Sequence, residues 1–237
     1  MSKPKLLDLF CGAGGASMGY YHAGFDVVGV DIKPQKNYPF EFIQADAMTF
    51  PLDGFDAIHA SPPCQAYSVL RRANPDAEYP ELINPMRERL QASGKPWVME
   101  NVPGAPLLYV LILCGTMFGL GANGRHLRRH RLFESNCMLL RNNDCSHVGE
   151  AIGVYGGGGW TELPKKKKGG GRYTFGNLAS KQVGVRRGGY QGLTKECREA
   201  MGIDWMTRKE LTQAIPPAYT EFIGLQLLNF VKLGERK

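Results

Sequence analysis

Two residues of this sequence combine a reactive side chain with a constrained setting. Cys64 follows two prolines in Ser61-Pro62-Pro63-Cys64-Gln65, and Glu100 comes 36 residues later in Glu100-Asn101-Val102. The prolines fix φ ahead of the thiol and keep the backbone extended. A positioned thiol and a positioned acid are suited to covalent catalysis. Taken alone, the cysteine is equally compatible with a buried, inert thiol.

The segments that precede these two residues have the composition of short buried strands. Residues 55–60 lead into the proline corner, and residues 96–99 lead into Glu100. In open α/β sheets, ligands bind at the carboxyl ends of the strands. We therefore expect Cys64 and Glu100 to lie at the same edge of one sheet.

The first 60 residues alternate between strand and helix patterns. Strands are predicted at residues 5–10, 25–30, 40–44 and 55–60, and a helix at residues 16–23. A further helix at 82–93 precedes the strand at 96–99. This rhythm predicts βαβ units and a largely parallel sheet. Near the end, residues 215–233 predict a proline-started amphipathic helix that packs back on the same domain.

Composition places the chain among ordinary globular proteins. The 237 residues suit one domain with a modest insertion, and 43% of them are hydrophobic. No apolar run approaches the roughly 20 residues needed to span a bilayer. Six scattered cysteines do not indicate a disulfide framework, and the first residues do not resemble a signal peptide. We expect a cytoplasmic protein without a membrane partner.

Basic residues are concentrated in the second half of the chain. The net charge is +7 and the isoelectric point is about 9.1. Basic side chains between residues 120 and 198 include Arg125, Arg128, Arg129, Arg131, Arg141, Lys165 to Lys168, Arg172, Lys181, Arg186, Arg187, Lys195 and Arg198. Such a patch can neutralise phosphates of a nucleic acid. The lysine run is also compatible with a solvated loop.

A change in composition indicates a second region. Residues 135–195 are rich in Gly, Asn, Lys and Arg and lack long periodic apolar patterns. We expect a small loop-rich region there, and a main domain formed by residues 1–134 and 196–237.

A glycine-rich turn after the first strand indicates a nucleotide-like ligand. Residues 8–15 read Asp-Leu-Phe-Cys-Gly-Ala-Gly-Gly, and glycine permits a tight turn and close approach to a ligand. Asp31 ends the second strand at the usual position of a ribose-binding acid. Asp46 offers an acceptor for an exocyclic amine. The turn lacks both the dinucleotide spacing and the Lys-Ser/Thr of a P-loop, which favours a nucleoside without phosphates.

Cys137, Cys145 and His147 raise the question of a zinc site. Three ligands at irregular spacing fall short of the four that a structural site requires, although His126, His130 or Cys197 are available as a fourth. Packing or loop roles are favoured, and no metal is expected.

The order of these motifs resembles that of the DNA (cytosine-5)-methyltransferases, at a small, phage-like size. The matching segments are Asp8 to Gly15, Gly29-Val30-Asp31, Ala45-Asp46, Pro62 to Ser68, Glu100-Asn101-Val102, Arg128 to Phe133, Arg198 to Gly202 and Ala214 to Pro217. They cover most of the chain outside residues 135–195. The resemblance implies an α/β fold: a Rossmann-like S-adenosylmethionine-dependent methyltransferase sheet with helices on both faces, plus a small target-recognition region.

The resemblance also implies a reaction and the residues for it. The target cytosine of double-stranded DNA is flipped into the pocket, Cys64 adds to C6, and Glu100 hydrogen-bonds the ring and supplies a proton. Arg131 and Arg129 hold the base or an adjacent phosphate. The resemblance assigns binding of S-adenosyl-L-methionine to Asp8, Phe10, Gly12, Gly14, Gly15, Asp31, Ile32, Asp46, Ala47, Pro63, Leu82 and Gln213. The enzyme is expected to act as a monomer.

Two departures from the family pattern keep alternatives open. Leu127 replaces a usual Gln, and Gln213 replaces a usual Asn near the donor group, which leaves a modified methionine donor open. One alternative is a DNA-binding module with a decayed catalytic site, although intact Cys64, Glu100 and Arg131 favour an enzyme. The other is an RNA cytosine-5 methyltransferase, because the same thiol chemistry works on RNA.

Overall fold

A seven-stranded sheet lies at the centre of this computed structural model, which describes residues 2–67, 76–141, 143–154 and 190–234. The strands are β1 Lys5–Leu9, β2 Asp26–Asp31, β3 Glu41–Gln44, β4 Ala57–Ala60, β5 Trp97–Asn101, β6 Leu111–Leu113, β7 Gly121–Ala122, β8 Arg125–Leu127, β9 Arg131–Ser135, β10 Ala151–Gly153 and β11 Tyr190–Gln191. The helices are α1 Gly15–Ala23, α2 Ile83–Ala92, α3 Thr194–Met201, α4 Arg208–Gln213 and α5 Pro217–Gly234, with a 3-10 helix at Gly115–Phe118.

The order of strands in the main sheet is β3-β2-β1-β4-β5-β9-β6. Strands β1 to β5 are mutually parallel, and β9 runs antiparallel to both of its neighbours. From β1 the chain proceeds outward to β2 and β3, and it then returns to β4 on the other side of β1. Sheets with such a reversal bind ligands beyond the carboxyl ends of the two strands at which the order reverses, which are β1 and β4 here.

Helices cover both faces of the sheet, as the sequence predicted. Alternate residues of a strand point to opposite faces. Leu6 accordingly packs with Tyr20 of α1 and Tyr219 of α5, whereas Leu7 packs with Met86 of α2. The mixed α/β fold with helices on both faces is therefore confirmed, as is the packing of the last helix on the main domain.

Small residues allow α1 and α5 to approach closely. A Cβ atom at Gly19 would lie 2.1 Å from the Pro217 carbonyl oxygen and 2.1 Å from Thr220 Oγ1. A Cβ atom at Gly15 would lie 2.5 Å from the Ile215 carbonyl oxygen. Neither glycine can therefore carry a side chain without moving the backbone of the last segment, so α5 stays close to the glycine-rich turn.

A second, four-stranded sheet has the order β11-β10-β8-β7. Its hairpin between β7 and β8 turns at Asn123 and Gly124, both with positive φ (52° and 73°). An Asn-Gly pair at such positions favours a tight two-residue hairpin. This sheet joins residues on both sides of position 135, and residues 155–189, with the lysine run, lie outside the described residues. The division at 135–195 therefore stays a prediction.

Expected strand and helix boundaries agree with the structure to within two residues. Phe10 and Phe25 lie outside the strands predicted to include them, and Phe10 has φ 59°. Trp97, Phe133 and Cys11 are buried. Among the described residues, no helix combines the length and the apolar composition needed to cross a bilayer.

A buried ion pair connects α2 to β9 and to the segment that follows β5. Arg87 Nε lies 2.6 Å from Glu134 Oε1, and Arg87 Nη2 lies 2.8 Å from Glu134 Oε2. Arg87 also donates to the Pro106 carbonyl, and the Leu108 amide donates to Glu134. Hydrogen bonds from Arg87 therefore fix the chain just after the segment that carries Glu100.

Replacing Arg87 with Met leaves Glu134 without its charged partner in a buried position. We expect the free energy of unfolding to fall by about 3–5 kcal/mol. Arg141→Met is the control, because Arg141 pairs with Asp144 in solvent and such pairs contribute about 0–1 kcal/mol. Urea denaturation of both variants at neutral pH measures the difference, and equal losses would contradict a structural role for the Arg87 pair.

Candidate active site

Cys64 lies just beyond the carboxyl end of β4, in a segment fixed by two neighbouring strands. The Ser61 amide donates to the Leu9 carbonyl at 3.1 Å, at the end of β1. Asn101 Nδ2 donates to the Pro62 carbonyl at 2.9 Å, at the end of β5. The asparagine of the Glu-Asn-Val motif therefore holds the proline corner, and the shared sheet edge expected for Cys64 and Glu100 is observed.

Glu100 forms a buried ion pair with Arg131. Arg131 Nε lies 2.9 Å from Glu100 Oε1, and both side chains are largely removed from solvent. The register of the antiparallel strands explains the contact: Glu100 lies opposite Phe133, so Arg131 is its diagonal neighbour on the same face. An Arg guanidinium can hold a carboxylate and still present donors to a ligand.

Glu100 also connects to a chain of buried polar side chains that sequence reasoning did not identify. Ser61 hydrogen-bonds the Glu100 carboxyl group, and Ser61 Oγ lies 2.9 Å from His59 Nε2. His59 Nδ1 lies 2.9 Å from the Tyr20 hydroxyl. Burial lowers the pKa of His59 to about 3, so the ring is neutral at physiological pH. The sequence signal that could have identified this chain was His59, the one polar residue inside the apolar strand β4.

Burial governs the protonation of the two principal residues. It raises the pKa of Glu100, and Arg131, Ser61 and Arg129 offset only part of that effect. Burial, and secondly the negative charge of Glu100, raise the pKa of Cys64, whereas Arg131 and Arg129 act in the opposite direction. The ionisation of both groups therefore depends on burial and on the charges of the neighbouring side chains.

Arg129 has structural partners. Its guanidinium donates to the Val154 carbonyl at 3.1 Å and to the Thr212 carbonyl at 2.7 Å. Its own carbonyl accepts a hydrogen bond from the Tyr219 hydroxyl. It therefore joins the second sheet to α4 and α5. Direct contact of Arg129 with a base stays a prediction.

The glycine-rich turn connects the carboxyl end of β1 to the start of α1. Phe10 adopts φ 59° and Gly12 φ 50°, and a Cβ atom at Gly12 would meet nothing within 4 Å. Gly12 and Lys33 both donate backbone N–H groups to the Asp31 carboxylate, at 3.1 and 2.9 Å. Asp31 is thereby held against the glycine-rich turn, and its contact with a ribose stays a prediction.

Asp8 carries an unsatisfied carboxylate oxygen in the core. Its side chain is fully buried and one oxygen accepts the Ser17 hydroxyl, but Oδ1 has no hydrogen-bond partner among the described residues. Burial raises the pKa of Asp8 to about 7. A buried carboxylate without a partner is costly, and a ligand that carries positive charge would relieve that cost.

The other predicted cofactor residues occupy positions around the same edge. Ile32, immediately after Asp31, is 64% exposed. Ala47, in the segment that follows β3, is buried. Asp46 accepts the Met48 amide at 2.8 Å. Pro63 is half-buried beside Cys64, Leu82 precedes α2, and Gln213 is exposed at the end of α4. Gly14 and Gly15 start α1, beside Ala214 and Ile215. No contact shows the ligand roles of these residues, which stay predictions.

Two further features lie outside this site. A groove along β6 and β9, lined in part by Tyr109, Ile112 and Leu139, includes no predicted site residue. The side chains of Cys114, His130, Cys145 and His147 converge, with one potential ligand atom from each lying within 4.8 Å of the others. We refer to these four residues as the Cys–His cluster.

The Cys–His cluster differs from the ligand set considered from the sequence. It contains Cys145, His147 and His130 but uses Cys114, which the sequence gave no reason to select, in place of Cys137. Cys137 instead lies against Asn136 and Ser135. Sequence spacing missed Cys114 because the pairing of β6 with β9 brings it into the cluster.

Replacing Glu100 with Gln removes the nearby charge that raises the pKa of Cys64. We expect the alkylation of Cys64 by iodoacetamide to begin at lower pH in Glu100→Gln than in the wild type. Peptide mass spectrometry over a pH series measures this, with Cys137 of the same chain as the internal reference. An unchanged pH profile at Cys64 would show that the two groups do not interact.

Part of the chain is similar to a known protein family and to a curated protein. Residues 4–106 match the family described as C-5 cytosine-specific DNA methylase. The type II methyltransferase M.XorII of Xanthomonas oryzae pv. oryzae is 31% identical over 124 residues, which cover 44% of this chain and 29% of that protein. The matched stretch thus spans less than a third of that curated relative.

Two solved structures show the same fold over nearly the whole chain. A candidate DNA modification methyltransferase encoded within an E. coli prophage has a TM-score of 0.56 at 16% identity, and the match covers 97% of this chain and 99% of that one. The Dnmt2 methyltransferase of S. pombe has a TM-score of 0.54 at 15% identity, with the same coverage. The family match implies S-adenosyl-L-methionine as the methyl donor. Residues 4–106, which contain Cys64 and Glu100, are thus similar to the C-5 cytosine-specific DNA methylase family.

Proposed function

We propose that this protein transfers a methyl group from S-adenosyl-L-methionine to C5 of a cytosine in double-stranded DNA, as a DNA (cytosine-5-)-methyltransferase. The observation that carries the proposal is the arrangement at the sheet edge. Asn101 fixes the corner that presents Cys64, and the adjacent Glu100 is paired with Arg131 at 2.9 Å. A nucleophile and a buried acid held by neighbouring strands match the needs of addition to a pyrimidine ring.

The region beyond the carboxyl ends of β1 and β4 suits the donor. The open space at Gly12 and the anchored Asp31 fit a nucleoside, and the unsatisfied Asp8 oxygen fits the positively charged methionine part. Phe10, Gly14, Gly15, Ile32, Asp46, Ala47, Pro63, Leu82 and Gln213 complete the proposed binding set. When bound, S-adenosyl-L-methionine supplies an electrophilic methyl group to C5.

The chemistry of the protein's own residues begins with Cys64. Its thiolate adds to C6 of the cytosine, which forms a C–S bond and moves electron density toward C5 and N3. Glu100, whose pKa is raised by burial, supplies a proton to N3 and limits the negative charge on the ring. After C5 has been methylated, loss of the C5 proton to a base reforms the C5–C6 double bond and expels the Cys64 thiolate, and the N3 proton returns to Glu100.

The target base has to leave the helix stack to reach Cys64, because the thiol lies in a corner of the sheet edge. Arg131 is positioned to orient both Glu100 and the flipped base. Arg129 is proposed to act by holding the second sheet against α4. The basic residues among positions 135–195 are proposed to contact the DNA backbone, with the enzyme acting as a monomer.

Cys64→Ala is expected to abolish the transfer of labelled methyl groups to duplex DNA, and Cys64→Ser to lose nearly all of it, because a hydroxyl is a much weaker nucleophile. Cys137→Ser is the matched control and should keep wild-type activity, since Cys137 lies outside the site. DNA that contains 5-fluorocytosine should trap a covalent complex with wild type alone among the Cys64 series. Product from Cys64→Ala at the wild-type level would overturn the mechanism.

The same assay separates the alternatives. No transfer by the wild type, together with retained DNA binding, would identify a decayed binding module. Transfer to RNA in preference to DNA would identify an RNA enzyme. Base-resolution mapping of DNA from cells that express the protein then reports the sequence context of the product.

The raised pKa of Asp8 makes donor binding dependent on pH. A carboxyl group with a pKa of about 7 is largely protonated at lower pH, and a positively charged ligand favours its ionised form. Affinity for S-adenosyl-L-methionine should therefore rise as pH increases toward about 7, with proton release on binding. Titration calorimetry across this range measures both quantities.

Asp8→Asn is the control, because it keeps a partner for the Ser17 hydroxyl but cannot ionise. It should bind more weakly and lose the pH dependence below pH 7. The same pH dependence in the variant and the wild type would show that another group is responsible.

A further inference from the structure

The Cys–His cluster lies where β6 ends and β9 begins, just beyond the pair formed by Leu113 and Arg131. Leu113 pairs with Arg131 in the antiparallel register. Cys114, which follows Leu113, and His130, which precedes Arg131, therefore come opposite each other. Cys145 and His147 approach from the connection between β9 and β10. Four donors from three separate segments therefore meet at one point.

Two sulfur–nitrogen distances within the cluster are close to those of a tetrahedral metal site. Cys114 Sγ lies 3.5 Å from His147 Nε2, and Cys145 Sγ lies 3.7 Å from His130 Nε2. With metal–sulfur bonds of about 2.3 Å and metal–nitrogen bonds of about 2.0–2.1 Å, a tetrahedral zinc ion separates sulfur from nitrogen by about 3.5 Å. Both measured separations are close to this value.

The chemistry of the donor set favours zinc. Two sulfurs and two imidazole nitrogens in a tetrahedral arrangement are typical of zinc. Two thiolates and two neutral imidazoles give a complex without net charge, which suits a position next to Arg129 and Arg131. The Thr116 hydroxyl lies 3.4 Å from Cys114 Sγ and can donate to it as an outer partner.

We propose that Cys114, His130, Cys145 and His147 bind one structural zinc ion. Four protein ligands leave no open position, so the metal is structural and does not take part in methyl transfer. It would join the connection at residues 143–150 to the ends of β6 and β9. Arg128 supports the same connection through hydrogen bonds to the carbonyls of His147 and Gly149.

The position of His130 gives the zinc ion a consequence for the site. His130 lies between Arg129 and Arg131, and its carbonyl accepts a hydrogen bond from Arg131 Nη1 at 2.9 Å. A metal bond to His130 would fix the backbone that presents Arg131 to Glu100. Metal bonds to Cys145 and His147 would also fix the segment just before β10, which pairs with β8.

Zinc content of untagged protein, purified without chelators, tests the proposal directly and independently of any activity. We expect one zinc ion per chain by mass spectrometry of the metal in wild type and in the control Cys137→Ser. Cys145→Ser and His147→Ala should lose it. Both altered residues are exposed, so these variants are expected to fold.

Cobalt substitution of the wild type provides a second test that needs no variant. Co²⁺ should give the absorption of a tetrahedral ion with thiolate ligands, and X-ray absorption of the zinc protein should show two sulfur and two nitrogen neighbours. A wild type that neither contains nor takes up a stoichiometric metal ion would overturn the proposal. So would equal zinc in Cys145→Ser and Cys137→Ser, or a disulfide between Cys114 and Cys145 in the protein as purified.

Discussion

The buried ion pair between Glu100 and Arg131 is the constraint on which the rest of the site depends. Placing two charges in the core carries a desolvation cost that is offset only by close geometry and further hydrogen bonds. Here the geometry comes from the antiparallel pairing of β5 with β9, and the further bonds come from Ser61 and from the His130 carbonyl. Each element that touches the pair is thereby held in register: β4 through Ser61, β5 through Glu100, and β9 through Arg131.

Contacts from the last part of the chain also hold the glycine-rich turn in place. The glycine-rich turn lies between the ends of β1 and β4, and its other side is covered by the last part of the chain. Trp205 donates to the Ala13 carbonyl at 2.9 Å, and Ile215 packs where Gly15 has no side chain. Residues far apart in sequence therefore build one wall.

Much of this candidate site was predictable because its residues follow strand ends, which leave local signals. Pro62 and Pro63 mark a rigid corner, glycines mark the turn, and Asp31 and Glu100 each follow an apolar run. Three features left no such signal. The direction of β9 depends on pairing with β5, the His59 link depends on Tyr20 from α1, and Cys114 joins its cluster only through the register of β6 with β9.

The sequence by itself determined the parallel βαβ arrangement, the edge at which Cys64 and Glu100 meet, and the resemblance to cytosine-5 methyltransferases. These follow from local patterns, since periodicity and turn residues act over a few positions. Only the tertiary structure decided that Arg131 pairs with Glu100 while Arg129 braces the second sheet, and that Cys114 completes a four-donor cluster in place of Cys137. Those outcomes depend on strand register and on long-range burial, and neither is encoded in the spacing of residues along the chain.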